Sequence, residues 1–203
     1  MSHKNYLGYH ACSQEGGYKG VRAGIPFFAP HTEDRTQWLS PGYYFWTDSA
    51  LYAKSWMPKK RNAGKAIGEF NIFLDDSAEA EELLDLVGNV AHQEQFIELV
   101  EIVLEQLPQT NITDVLVNEV ISLLREENEA EPGMFPYIAI KAMDNRKKSR
   151  DMIHLGFVPK EENNLKLPLL TPQQMCLFDA SRVRLTKFVE PEEYQKHFEE
   201  ENR

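Results

Sequence analysis

Cysteine is scarce in this chain: Cys12 and Cys176 are the only two among 203 residues. They stand far apart and without metal-type spacing, which argues against a disulfide framework and suits a reducing compartment; no metal is expected. Long apolar runs are absent too. None approaches the ~20 residues that a membrane-spanning helix needs, so no membrane partner is expected. The opening Met1-Ser2-His3-Lys4-Asn5 lacks the apolar core of a secretion signal, and a cytoplasmic protein is predicted. Positive charge is in deficit, with 22 Lys and Arg against 32 Asp and Glu and a net charge of −10. Indiscriminate binding of nucleic acid needs clustered cations and does not fit that balance, although a local basic patch does. There is no internal repeat.

What is present is enough apolar material for one core. A hydrophobic share of 42% over this length predicts a single domain spanning residues 1–203. Its most distinctive stretch is residues 41–56, Pro-Gly-Tyr-Tyr-Phe-Trp-Thr-Asp-Ser-Ala-Leu-Tyr-Ala-Lys-Ser-Trp. Pro41-Gly42 signals a turn, and four large aromatics then suit a short strand. Thr47, Asp48 and Ser49 offer capping oxygens to a helix that carries Tyr52 and Trp56 one turn apart. Such dense Tyr and Trp fit either an aromatic core corner or a wall that stacks on a flat ligand.

Residues 5–12 read as a strand, and residues 13–41 as turns with at most a short helix near 17–24. An irregular stretch of that length inside a compact domain is more often functional than filler. A strand is expected around 66–74. From 77 to 130 the pattern predicts a helical insertion of three helices, acidic outside and aliphatic inside. The first carries Leu83, Leu84 and Val87 behind a Ser77 cap. The second runs from Phe96 to a stop at Pro108, and the third follows a cap at Thr113 or Asp114. Strands return near 134–143, 153–157, 173–178 and 183–188, with an exposed helix at 192–200. Two basic runs, at 58–61 and 145–150, are candidates for a phosphate contact.

Three separated motifs resemble one family. Tyr9-His10-Ala11-Cys12, then Gly42-Tyr43-Tyr44-Phe45 with the helix ending near Trp56, then Gln174-Met-Cys-Leu-Phe-Asp-Ala-Ser-Arg-Val-Arg-Leu185 resemble, in order, the motifs of ADP-ribosyltransferases of the diphtheria-toxin and poly(ADP-ribose) polymerase type. The likeness covers about the first 75 and the last 45 residues. It implies an α+β fold of split antiparallel β-sheets gripping NAD, interrupted here by the helical insertion. It implies that His10 bonds a hydroxyl of the nicotinamide-side ribose, that the backbone of Ala11 meets the carboxamide, and that Cys12 follows at the site. Tyr44 would form one aromatic wall, and Tyr52 or Trp56 the face that stacks on nicotinamide.

The implied reaction cleaves the bond between ribose and nicotinamide through an oxocarbenium-like transition state. Nicotinamide leaves neutral, so no general acid is needed, and negative charge near the forming cation is what helps. In the family a glutamate supplies that charge, whereas this chain has Gln174. Three outcomes are open: a slower or mono-transferring enzyme, a carboxylate supplied from elsewhere, or a silent fold that binds NAD or ADP-ribose or docks a partner through its acidic helices. The expected function is mono-ADP-ribosyl transfer to a macromolecular acceptor, protein or nucleic acid, with acceptor choice lodged in residues 13–40 and the helical insertion. A glycohydrolase using water is the lesser variant. A bacterial or phage-conflict toxin held by an antitoxin or regulatory protein fits by analogy alone.

Overall fold

The computed structural model of the chain describes residues 3–56, 63–75, 77, 81–105, 115–144, 153–156 and 166–203. Strand β1 (His3–Ser13) leads into a short helix α1 (Gly17–Gly24), and a folded loop then reaches β2 (Tyr43–Thr47) and helix α2 (Leu51–Ser55). β3 (Lys65–Asp75) and the short β4 (Leu83–Asp85) precede α3 (Val90–Leu104) and α4 (Val117–Ala130). β5 (Ala139–Met143), a hairpin of β6 (Ile153–Gly156) and β7 (Lys166–Leu169), β8 (Gln173–Leu177), β9 (Val183–Glu190) and α5 (Glu192–Glu201) complete the order. Both basic runs, and the expected caps at Thr113 and Asp114, lie outside the described residues.

Seven strands make one mixed sheet in the order β4-β5-β8-β2-β1-β3-β9, parallel only between β4 and β5. The fold is thus α+β with one large mixed sheet, where the resemblance implied split antiparallel sheets. The sheet is nonetheless weakly joined at its centre. β1 pairs with β3 along its whole length from His3 to Ser13, yet meets β2 only at Gly8↔Thr47 and Tyr9↔Trp46. Beyond Tyr9 the two strands part.

Strand alternation distributes the core over both faces. On one face Phe45, Phe70, Ile72, Met175 and Leu177 pack with Val21 of α1 and Tyr194 of α5. On the other, Ile140, Ala142 and Cys176 meet Leu99, Val100 and Val103 of α3 and Ile121 and Leu124 of α4. A smaller cluster of Tyr9, Trp46 and Ile67 sits beneath Ala53 of α2. Fully burying a side chain such as Phe45 contributes about 2–3 kcal/mol. The terminal helix, expected to be exposed, thus buries Tyr194.

The helical insertion needs a second correction. Leu83 and Leu84 lie in a strand because neighbouring side chains are buried on opposite faces of the sheet, Leu83 in the first cluster and Leu84 in the second. A helix would turn consecutive side chains only about 100° apart, not onto opposite faces. Asp85 then turns the chain, accepting from the N–H groups of Val87 and Gly88, both at 2.9 Å, and Asn89 caps α3. Ser77 therefore caps no helix running through Leu83 to Val87.

Candidate functional site

Where β1 and β2 part, a cleft of about 960 Å³ opens. Its lining includes all seven residues singled out above: His10, Ala11, Cys12, Tyr44, Tyr52, Trp56 and Gln174. They come from β1, β2, α2 with its C-terminal flank, and β8, so the assembly depends on the sheet order rather than on closeness in sequence.

His10 bridges the gap in the ladder. Its Nδ1 lies 2.9 Å from the backbone oxygen of Tyr44, and the N–H of Phe27 approaches Nε2 at 3.2 Å. A carbonyl only accepts and a backbone N–H only donates, so Nδ1 carries the proton and Nε2 offers its lone pair. Burial pushes the imidazole pKa down to about 4, which keeps the ring neutral. Both nitrogens of His10 are thus bound within the protein. Burial likewise pushes the Cys12 thiol up to about 12, so it lines the cleft as a neutral thiol and not a nucleophile.

Tyr44 lines the cleft, and its hydroxyl is engaged by the preceding loop. The hydroxyl donates to the backbone oxygen of Ser40 at 2.8 Å and accepts from the N–H of Leu39 at 3.0 Å. Ser40 has φ 76°, a conformation that L-residues seldom hold without support. That support also comes from α4. Arg125 donates to Ser40 Oγ at 3.1 Å and to the oxygen of Pro41 at 3.2 Å, and its guanidinium lies 4.0 Å from the Phe178 ring centre. Helix α4 therefore braces the loop that walls the site.

Trp46 is buried, with its ring 5.3 Å from that of Tyr52. Tyr52 is held by that contact, whereas Trp56 stands half-exposed at the end of α2. Gln174 lies opposite Trp46 in the ladder. Its Oε1 receives the indole N–H of Trp38 at 3.4 Å, and its Nε2 points to Oδ2 of Asp144 at 3.5 Å.

Sequence reasoning passed over Trp38, Asp144, Phe27, Phe28 and Arg35, all of which line the cleft. The loop signal was present, since Pro26-Phe27-Phe28-Ala29-Pro30 is an apolar island in polar sequence. This loop is closed by reciprocal backbone bonds between Ala29 and Gly42 at 2.8 and 3.2 Å, and Phe28 packs on Tyr43 with ring centres 5.3 Å apart. Arg35 is the cleft's one cationic side chain among the described residues. Among those residues no group of three or more His, Cys, Asp or Glu gathers as a metal would require, and no helix is long and apolar enough to cross a membrane. Comparison with protein-family models, with curated proteins and with solved structures finds no match.

Proposed function

We propose that the chain is a mono-ADP-ribosyltransferase that cleaves NAD and passes ADP-ribose to a macromolecular acceptor. The observation that carries this reading is convergence: residues chosen from three motifs far apart in sequence line one cleft of about 960 Å³. That volume lies in the range of small-molecule sites, and the lining combines apolar rings with a few polar groups, as such sites do.

In this reading the nicotinamide end enters between Tyr44 and the Tyr52–Trp56 side, against the β1 edge at Ala11. The pyrophosphate meets Arg35, the one cationic side chain among the described lining residues. His10 can take the part expected of it only after a local rearrangement. Its Nε2 is already occupied by Phe27 N–H, so a ribose hydroxyl would bond there by replacing that N–H, with the loop of residues 25–42 shifting to admit it. A split antiparallel fold of the ADP-ribosyltransferase type remains part of the proposal. The two-residue join of β1 to β2 supports it.

A second reading, a silent NAD or ADP-ribose binder, is favoured by the amide at Gln174. The two part on incubation of the purified chain with adenine-labelled NAD and cell lysate. Label transferred to protein or nucleic acid supports the transferase, and free labelled ADP-ribose supports a glycohydrolase. Binding without turnover leaves the silent fold, and the absence of both binding and turnover would defeat the family reading altogether.

A further inference from the structure

The position expected to carry a catalytic carboxylate carries an amide, and a carboxylate lies beside it. β5 runs antiparallel to β8 with Ala142 opposite Gln174. Two residues further on, Asp144 falls on the same side of the sheet. Its N–H donates to the oxygen of Pro172 at 2.7 Å, which ties the end of β5 to the approach of β8. Asp144 is 3% exposed and still lines the cleft with His10, Tyr44 and Trp46. A buried carboxylate is costly unless its oxygens are bound, and Gln174 Nε2 offers one donor at 3.5 Å. The amide is gripped from both ends: Trp38 N–H, which can only donate, takes Oε1, and Nε2 is thereby turned toward Asp144. Both contacts are long, as catalytic hydrogen bonds often are before substrate arrives.

We propose that Asp144 is the catalytic carboxylate of this cleft, with Gln174 its positioning residue, an inference that rests on the NAD-cleaving reading above. The bond between ribose C1′ and the nicotinamide nitrogen breaks with both electrons going to nitrogen. Nicotinamide leaves neutral, and C1′ takes up the positive charge. The Asp144 carboxylate stabilises that charge across the cleft. The acceptor then gives a lone pair to C1′, and the proton it sheds passes to Asp144.

The test is a charge relocation in the full chain, with NAD binding and NAD turnover measured side by side. Asp144→Asn preserves shape and is expected to lower kcat by about 10²–10³-fold while NAD affinity stays within about threefold, the pattern of an interaction made mainly in the transition state. The double variant Asp144→Asn with Gln174→Glu returns the carboxylate one side chain away and is expected to recover most of the lost rate. Gln174→Glu alone sets two carboxylates within hydrogen-bonding reach, so that one retains a proton and the pH–rate profile gains an ionisation. Wild-type turnover in Asp144→Asn, or a double variant no faster than the single one, overturns the role of Asp144 and leaves NAD cleavage standing. A wild-type chain that binds NAD without cleaving it overturns the role as well. A wild-type chain that neither binds nor cleaves NAD brings down the functional reading with it.

Discussion

At the scale of single residues, His10 and Gly42 show how tightly this cleft is tied to folding. Unfolded, His10 titrates near 6.5; folded, it titrates at about 4 because burial opposes the charge. Between those values the unfolded chain binds more protons, so stability is fully present above about pH 6.5 and drains away as pH falls toward 4. The gap corresponds to about 3 kcal/mol. Urea denaturation at about pH 7 and about pH 4.5 should show this loss in the wild type and a smaller one in His10→Gln. An equal loss in both would mean that other groups carry the pH dependence. Gly42 is required for a different reason. A Cβ there would meet Cys176 Sγ at 2.5 Å and the Leu177 oxygen at 2.6 Å, and the latter is backbone that cannot swing aside. Gly42→Ala should therefore destabilise the fold by about 1–3 kcal/mol, read as a shifted denaturation midpoint. An unchanged midpoint would mean that β2 and β8 lie further apart than described.

Elements act on the site through the loop of residues 37–41. Arg125 on α4 holds Ser40 and Pro41, and Tyr44 on β2 holds Leu39 and Ser40. Arg125→Met keeps the apolar stem and removes the fork of donors. It should cost about 1–3 kcal/mol and speed amide exchange at Leu39 beyond what the global loss explains. Exchange that rises only in step with global stability would confine Arg125 to general support. Local chemistry made much of the element order legible. The short helix admitted near 17–24 is α1, and Pro-Gly with the aromatic run flagged β2. At α2, however, the N-cap is Ala50, without a side-chain cap, and Ser49 only accepts from Leu51 N–H at 3.2 Å just before it. The failure came where tertiary context overruled periodicity. The spacing of Leu83, Leu84 and Val87 is as compatible with a helix as with an edge strand buried on both faces, and only the presence of β5 decides between them. Asp144 and Trp38 escaped notice for a related reason. Neither belongs to a local motif, and each gains meaning only from the register that places Gln174 beside it.

For the whole molecule, the decisive feature is a sheet that is strong at its flanks and thin at its middle. β1 is locked to β3 over eleven paired positions, while only two join β1 to β2. Across that join, further coupling comes from His10, from the Asp48 N–H donating to the Leu7 oxygen at 3.0 Å, from Phe45 packed on Phe70, and from α2 over Tyr9 and Trp46. A ligand in the cleft would touch both sides at once, with Ala11 and Cys12 on one and Tyr44, Gln174 and Asp144 on the other. It would therefore act as a further tie across the join. Free NAD at about a hundred times its dissociation constant adds about 2.7 kcal/mol to the stability of whichever state binds it. In a chain of this size each kcal/mol moves the midpoint by about 2–4 °C, so saturating NAD should raise Tm by about 5–10 °C. The origin of that gain can be localised. Amide exchange should slow most at residues 9–12 and 43–46, which face each other across the join, and least in β9, which lies at the far edge of the sheet. A Tm rise with protection confined to the α3–α4 face would place the ligand elsewhere, and no rise at saturating NAD would remove NAD as the occupant of the cleft.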